Sequence, residues 1–312
     1  MPRYLPIVRR TLLAAILLGL HAQVAGAWSR PGHMVVGAIA YDELAARDPQ
    51  ILAKIDEIMS KHPDHAVFEV AGGPRSDARI RRIFLEMARW PDDVRTTAFD
   101  HPTWHYAGRP VIDKRNPPAP LPPDGTSGAA AEAYALNLRV AGDKGASPAE
   151  RAVSLCWVMH LVGDIHQPLH AADQYSATLM DGDKGGNLQF IRDPRSAEFM
   201  TLHGYWDGIV RSNGDAAEAS ELARTLAARW PRAQFKQLKK TPLAPADFAT
   251  WANESFEIAR KVTYRSDLVT GPTLPEGQPL TDAYVAEATT TGERQVVLAG
   301  YRLADVIRGL FP

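Results

Sequence analysis

The segment that most constrains the fold is Ser147-Pro148-Ala149-Glu150 with the run behind it, which predicts a helix to about Gln167, just before Pro168. Serine at the N-cap, proline at the first helical position and glutamate placed to close a capping box mark a helix start. From Ala152 to Val162 the run is almost entirely apolar, so this helix should be buried. His160 and Asp164 interrupt it near its end, one turn apart and facing the same way. That spacing lets both bind one metal.

The remaining pattern is also helical. Apolar residues recur at helical spacing from Met34 to Leu44, and Pro49 opens a segment through Ile51, Ile55, Ile58 and Met59. Asp77 to Trp90 places Ile80, Ile83, Phe84 and Met87 on one face, and helix resumes near Ala129. Further helices are expected over Asp215 to Arg229, Pro245 to Tyr264 and Thr281 to Leu310. The Pro- and Gly-rich stretch between Arg109 and Gly128 cannot be regular helix and should run over the surface, and Gly182 to Gly186 reads as a loop. No run of alternating strands and no internal repeat is evident. An all-α, single-domain, multi-helix bundle with long loops follows, of a length that can bury a sizeable core.

The first 27 residues differ in kind. Arg3, Arg9 and Arg10 precede the apolar run Thr11 to Leu20, and Ala25-Gly26-Ala27 offers small residues where a signal peptidase reads. The apolar run is about half the roughly 20 residues of a spanning helix. Residues 1–27 are therefore expected to be a signal peptide cut after Ala27, leaving residues 28–312 secreted or periplasmic, without stable membrane association and monomeric. The single cysteine, Cys156, lies in the apolar helix and reads as a buried thiol. Removal of the leader leaves 32 basic and 36 acidic side chains, a formal charge of −4. Such a balance is unlike that of proteins that hold nucleic acid with a basic surface, unless bound metal supplies positive charge.

Residues suited to hold metal recur along the chain. His160-x3-Asp164-x5-His170 is followed by His203-x3-Asp207, which repeats the imidazole and carboxylate on one helical face. Imidazole nitrogen and carboxylate oxygen without cysteine suit zinc. Asp92 and His105 are further ligand candidates, although Asp92 also reads as a solvated charge at a helix end and His105 as a hydrogen-bonded loop residue.

Together with Trp28, His33, Trp90-Pro91-Asp92, Arg95, Trp104-His105-Tyr106 and Gly185-Gly186-Asn187, these motifs resemble the S-one/P-one type of secreted zinc nucleases, which are related to zinc phospholipase C. The ordered match runs from Trp28 to Asp207, and beyond it the likeness is mainly a helical pattern. The resemblance implies three Zn2+ per chain. One would be held by Asp92, His105, His160 and Asp164; a second by His170, His203 and Asp207; a third by the free amine and carbonyl of Trp28, by His33 and by Asp164 as a bridge. Arg95 would contact the phosphate, Asn187 would lie near the substrate, and Tyr106 would be the platform on which a base stacks. Asp92, Arg95 and Asp164 would carry catalysis. Single-stranded DNA and RNA would be cut to products with 5′-phosphates, with 3′-nucleotidase activity a further expectation. This chain departs from its relatives at Gly108, where they carry an aspartate that hydrogen-bonds the base.

Two other functions fit part of the pattern. A zinc phospholipase C shares the three-metal core and the processed tryptophan, but in that group the last ligand pair tends to end in glutamate, where this chain has Asp207. A non-catalytic exported zinc-binding protein has no need of Arg95 or Asn187. His62, His65 and His101 are expected at the surface, His166 off the ligand face in a packing or orienting role, and Trp157, Trp206 and Trp251 in the core. Asn253-Glu254-Ser255 falls in a helix and is not expected to carry a glycan.

Overall fold

The computed structural model describes residues 28–69, 76–211, 214–238 and 246–312. The leader expected over residues 1–27 and the expected helix start at Pro245 lie outside the described residues. Helices dominate: α1 (Arg30–Arg47), α2 (Pro49–Met59), α3 (His65–Phe68), α4 (Asp77–Asp93), α5 (Ala130–Gly142), α6 (Pro148–Asp164), α7 (Leu202–Asp207), α8 (Ala216–Arg229), α9 (Asp247–Ile258) and α10 (Asp282–Leu310). No described helix is long and apolar enough to cross a membrane.

The capping box is formed in full: Glu150 N–H donates to Ser147 Oγ, and the Glu150 carboxylate accepts from the Ser147 backbone N–H. A cap of this kind stabilises a helix by about 1 kcal/mol. It starts α6 at a fixed residue, and every residue from Ser154 to Asp164 is buried. α6 ends at Asp164 rather than Gln167, and a short 3-10 turn, Pro168–His170, follows. α6 packs against α4 and α5, and α1 packs against α4, α8 and α10, so the ends of α1, α4 and α6 converge.

The strands are few and short. β1 (Arg109–Ile112) pairs in parallel with β2 (Ala172–Tyr175), with Arg109 opposite Ala172. The first part of the Pro-rich stretch is therefore strand, with Val111 buried, and only the rest is irregular. β3 (Phe190–Arg192) lies between β4 (Phe199–Thr201) and β5 (Gln278–Pro279). Backbone pairing overrode composition at Arg109, because the chain leaving the 3-10 turn Pro102–His105 runs beside the segment leaving His170.

Trp157, Trp206 and Trp251 are core residues, as is Cys156. His62 corrects the surface expectation: it is buried, edge-on to Trp90 and Phe68, and its Nδ1 accepts the Asp64 N–H. Its polar sequence neighbours conceal an aromatic pocket supplied by two other segments. His101 is half-buried, stacked on Trp104 at 3.8 Å between ring centroids, and His65 is exposed. His166 is buried away from the ligand candidates, donating from Nδ1 to Val162 O.

Candidate metal centre

At the end of α6, Asp164 faces His160, one turn back on the same helix, and two histidines from other segments. Its Oδ2 lies 3.2 Å from His160 Nε2 and 3.1 Å from His105 Nδ1, and its Oδ1 lies 3.2 Å from His33 Nε2 on α1. Asp92, from the last turn of α4, approaches the same rings, 3.7 Å from His160 and 3.8 Å from both His105 and His33. Pro91 stands just before it inside α4 and has no N–H for the helical ladder. Nearby, Ala88 O accepts from His160 Nδ1 at 2.9 Å, which turns Nε2 towards the carboxylates. His33 can come this close because residue 163 is glycine: a Cβ there would stand 2.8 Å from His33 Nδ1.

A second group, His170, His203 and Asp207, forms at the junction of the Pro168–His170 turn with α7. His170 Nδ1 donates to His105 O at 2.5 Å and His203 Nδ1 donates to Gly185 O at 2.7 Å, so both rings present Nε2 to the same space. His203 Nε2 is 3.4 Å from Asp207 Oδ2. Gly185 adopts φ +62°, and a Cβ there would meet Leu169 O at 2.6 Å, so the carbonyl that aims His203 depends on glycine.

Three sets thus gather possible ligand atoms within 4.8 Å of one another: His33, His160 and Asp164; Asp92, His105 and His160; and His170, His203 and Asp207. Both nitrogens of His33, Nε2 of His105 and His170, and Oδ1 of Asp164 are buried and make no hydrogen bond among the described residues. Unsatisfied polar atoms in a protein interior are costly unless something binds them, and of these His33 Nε2 and Asp164 Oδ1 face each other at 3.2 Å. Imidazole and carboxylate donors, with Nδ1 of His160, His170 and His203 each anchored on a backbone carbonyl, fit a divalent cation such as zinc.

The electrostatics are those of a ligand cluster. Burial opposes the charge on Asp164, yet His160, His105 and His33 hold its carboxyl well below the usual range. Burial also opposes the charge on His160, but Asp164 and Asp92 raise it to about 9. In the second group burial dominates, lowering His170 to about 3 and raising Asp207 well above the ordinary carboxylate value.

The other expected site residues fall around these groups. Trp28 is fully buried; its indole N–H donates to Gly163 O at 2.9 Å, and Ser29 N–H donates to Asp207 O, which brings the chain at Trp28 to both groups. Arg95 donates to Asp92 Oδ1 at 2.8 Å. Tyr106 is exposed, one residue beyond the buried His105. Asn187 donates to Lys184 O within the glycine loop.

Two further residues were not singled out by sequence. Gln167 is buried, accepts the Leu169 N–H and donates to Asp207 Oδ1 at 2.7 Å, so it ties the 164–170 segment to the second group. Asp173 lies on β2 beside Gly108; it accepts from Ser127 Oγ at 2.8 Å and from Gly185 N–H at 2.6 Å, and its Oδ2 would lie 2.5 Å from a Cβ at position 108. Only the proximity of His170 to Asp207 and the strand pairing reveal their partners.

The profile of the S1/P1 nuclease family matches residues 28–312 of this chain. The chain belongs to that family. Among individual proteins it is similar to three from Arabidopsis thaliana: Endonuclease 4 is 26% identical over 170 residues, covering 51% of this chain and 50% of the relative. Endonuclease 3 is 28% identical over 170 residues and Endonuclease 5 is 27% identical over 173, each covering 51% of both chains. The chain thus matches about half the length of these relatives. The three His/Asp groups that could hold metal all lie within the region the family profile matches.

Proposed function

We propose that the chain is an exported, zinc-dependent endonuclease that hydrolyses phosphodiester bonds of single-stranded DNA and RNA and leaves 5′-phosphates. The observation that carries this reading is the convergence at one end of α6 of three His/Asp groups with buried, unsatisfied donor atoms in a chain of a nuclease family. Asp92, His105, His160 and Asp164 would hold one zinc, His170, His203 and Asp207 a second, and Trp28, His33 and Asp164 a third. The family match begins at Trp28, the residue that cleavage after Ala27 would expose. When bound, zinc supplies electrophilic charge at the phosphate and makes water a competent nucleophile at neutral pH.

The chain's own residues do the rest. Arg95, held beside Asp92 through Nη2, keeps Nη1, 4.0 Å from Asp100 Oδ1, with which to meet a phosphoryl oxygen. Tyr106 offers an exposed ring next to a buried centre, so a splayed base can stack while its phosphate reaches inward, which a stacked duplex cannot do. Asn187 borders the loop that aims His203. Three divalent cations would outweigh the charge of three carboxylates and attract a polyanion to an acidic protein.

The test is release of acid-soluble nucleotides from single-stranded and duplex DNA and RNA by processed protein, with metal content measured on the same sample. Phosphocholine release from lecithin is measured in parallel, and mass by sedimentation checks the monomeric state. Cleavage of single strands that is lost on chelation and restored by zinc is expected. Lecithin hydrolysis without nuclease activity, or zinc binding without turnover of either substrate, would overturn the reading.

A further inference from the structure

The segment Ile165-His166-Gln167 separates Asp164 of the first group from His170 of the second, and its polar atoms are gripped by distant parts of the chain. Ser255 Oγ, on α9, donates to Ile165 O at 2.5 Å. Gln295 Nε2, on α10, donates to His166 O at 3.2 Å and is 3.5 Å from the same Ser255 hydroxyl. The His166 ring donates from Nδ1 to Val162 O at 2.7 Å, one turn back on α6, and its Nε2 accepts from Arg302 Nη1 at 2.8 Å. Arg302 is 2% exposed, stacks over Trp251 and is paired with Glu254 at 2.7 Å. Gln167 completes the segment by reaching Asp207.

We propose that this buried grip, with Arg302 and Ser255 as its positioning residues, sets the separation and orientation of Asp164 and His170, and through Gln167 that of Asp207. Neither residue touches a ligand side chain, so neither is catalytic. The physical reason is that a turn between two ligands has soft backbone dihedrals. α6 fixes Asp164 through its helical ladder, and local bonds shape each turn beyond it, Gln167 N–H to Asp164 O, Leu169 N–H to Gln167 Oε1 and His170 N–H to Gln167 O, but they do not anchor the segment as a whole against the core. Donors from α9 and α10 hold the Ile165 and His166 carbonyls directly, and the Arg302 contact locks the His166 ring that pins residue 166 to α6. A burial this complete for an arginine is maintained only when its partners are in place. Loss of an indirect partner of a metal ligand typically lowers metal affinity or activity about 10- to 100-fold.

The proposal rests on the zinc reading of the ligand groups, and the experiment separates the two. Full-length processed protein and its Arg302→Met and Ser255→Ala variants are loaded with zinc. Release to a chromogenic chelator is followed at a temperature where circular dichroism shows all three folded, and kcat and KM are measured on one oligonucleotide. Expected are at least about tenfold faster release of part of the zinc in Arg302→Met, a smaller acceleration in Ser255→Ala, and a lower kcat at little-changed KM. Cobalt(II) loading should give altered visible bands in the variants, and Arg302→Lys, which keeps a donor for His166, should restore part of the release rate. Should Arg302→Met not fold, Ser255→Ala carries the test alone. Release rates, cobalt spectra and kcat within twofold of wild type in the folded variants would overturn the proposal and leave the network as packing between α10 and the core. Wild-type protein that binds no zinc would instead overturn the metal reading itself.

Discussion

Asp164 presents its two carboxylate oxygens to different partners, and Oδ1, 3.2 Å from His33 Nε2, is the oxygen without a hydrogen bond. A carboxylate used on both sides can serve two cations at once. An amide cannot, because one of its two termini is an N–H donor. Asp164→Asn, nearly isosteric, should therefore lower activity by more than about 100-fold, the upper end of what even an indirect partner is worth, and should reduce bound zinc below wild type. More than a tenth of wild-type turnover with full metal content would remove Asp164 as a bridge.

Arg95 touches the first group only through its ion pair with Asp92. Truncation to alanine leaves every ligand atom in place but removes the guanidinium from the side where phosphate would sit. Arg95→Ala is expected to keep wild-type zinc content while kcat falls about 100-fold, the scale seen when one donor to a developing anion is lost. Metal analysis of the purified variant beside its turnover number checks this; loss of metal would make Arg95 a support of Asp92.

His62 gives a pH signature that does not involve the ligands. Burial lowers its pKa from 6.5 to about 4, against the pull of Asp64. A histidine whose folded pKa lies below its unfolded value stabilises the fold above about pH 6.5, and that contribution is lost as pH falls towards 4. His62→Phe keeps a ring against Trp90 and Phe68 but cannot titrate. Its melting temperature should fall less steeply than wild type between pH 6.5 and 4, and parallel curves would show that His62 protonates without penalty.

How legible all this was in sequence differs from residue to residue. Ser147 and Glu150 announced the start of α6 because a capping box is local chemistry, and His160 and Asp164 were placed by helical phase alone. On other segments, Asp92 and His105 are legible as candidates by residue type but not as members of one set, and His33 stands out only through a family resemblance, since no spacing rule relates residues brought together by packing. Gln167, Arg302 and Ser255 left no local signal: their partners are up to 136 residues away. His62 was misjudged for the same reason, because Trp90 and Phe68 bury it from outside its own polar neighbourhood.

Gly108 shows how a departure from a family pattern can be explained by its surroundings. The Asp173 carboxylate occupies the space a side chain at 108 would enter, held by Ser127 and Gly185. Gly108→Asp would set two carboxylates against each other and displace the Gly185 contact, and Gly185 O aims His203. The variant is expected to melt several degrees lower, as about 1 to 3 kcal/mol of overpacking and like-charge contact implies for a protein of this size. Differential scanning calorimetry decides it, and an unchanged melting temperature would mean that Asp173 swings aside freely.

The unprocessed precursor should be nearly inactive. Until the bond from Ala27 to Trp28 is cut, the Trp28 nitrogen is an amide whose lone pair is delocalised and a poor ligand. Cleavage yields an amine with a pKa near 8, from which a cation can displace the proton and close a five-membered chelate with the Trp28 carbonyl. The surroundings favour such a use: Trp28 is fully buried, its indole is fixed to Gly163, and the next N–H is bonded to Asp207 O. Protein made without a leader and beginning Met-Trp28 should bind about two zincs and turn over slowly, whereas exported protein beginning at Trp28 should bind three. Metal analysis and specific activity of the two preparations, with N-termini verified by mass, provide the comparison. Equal zinc content and equal activity would take Trp28 out of the ligand set and leave His33 and Asp164 to hold a third cation alone.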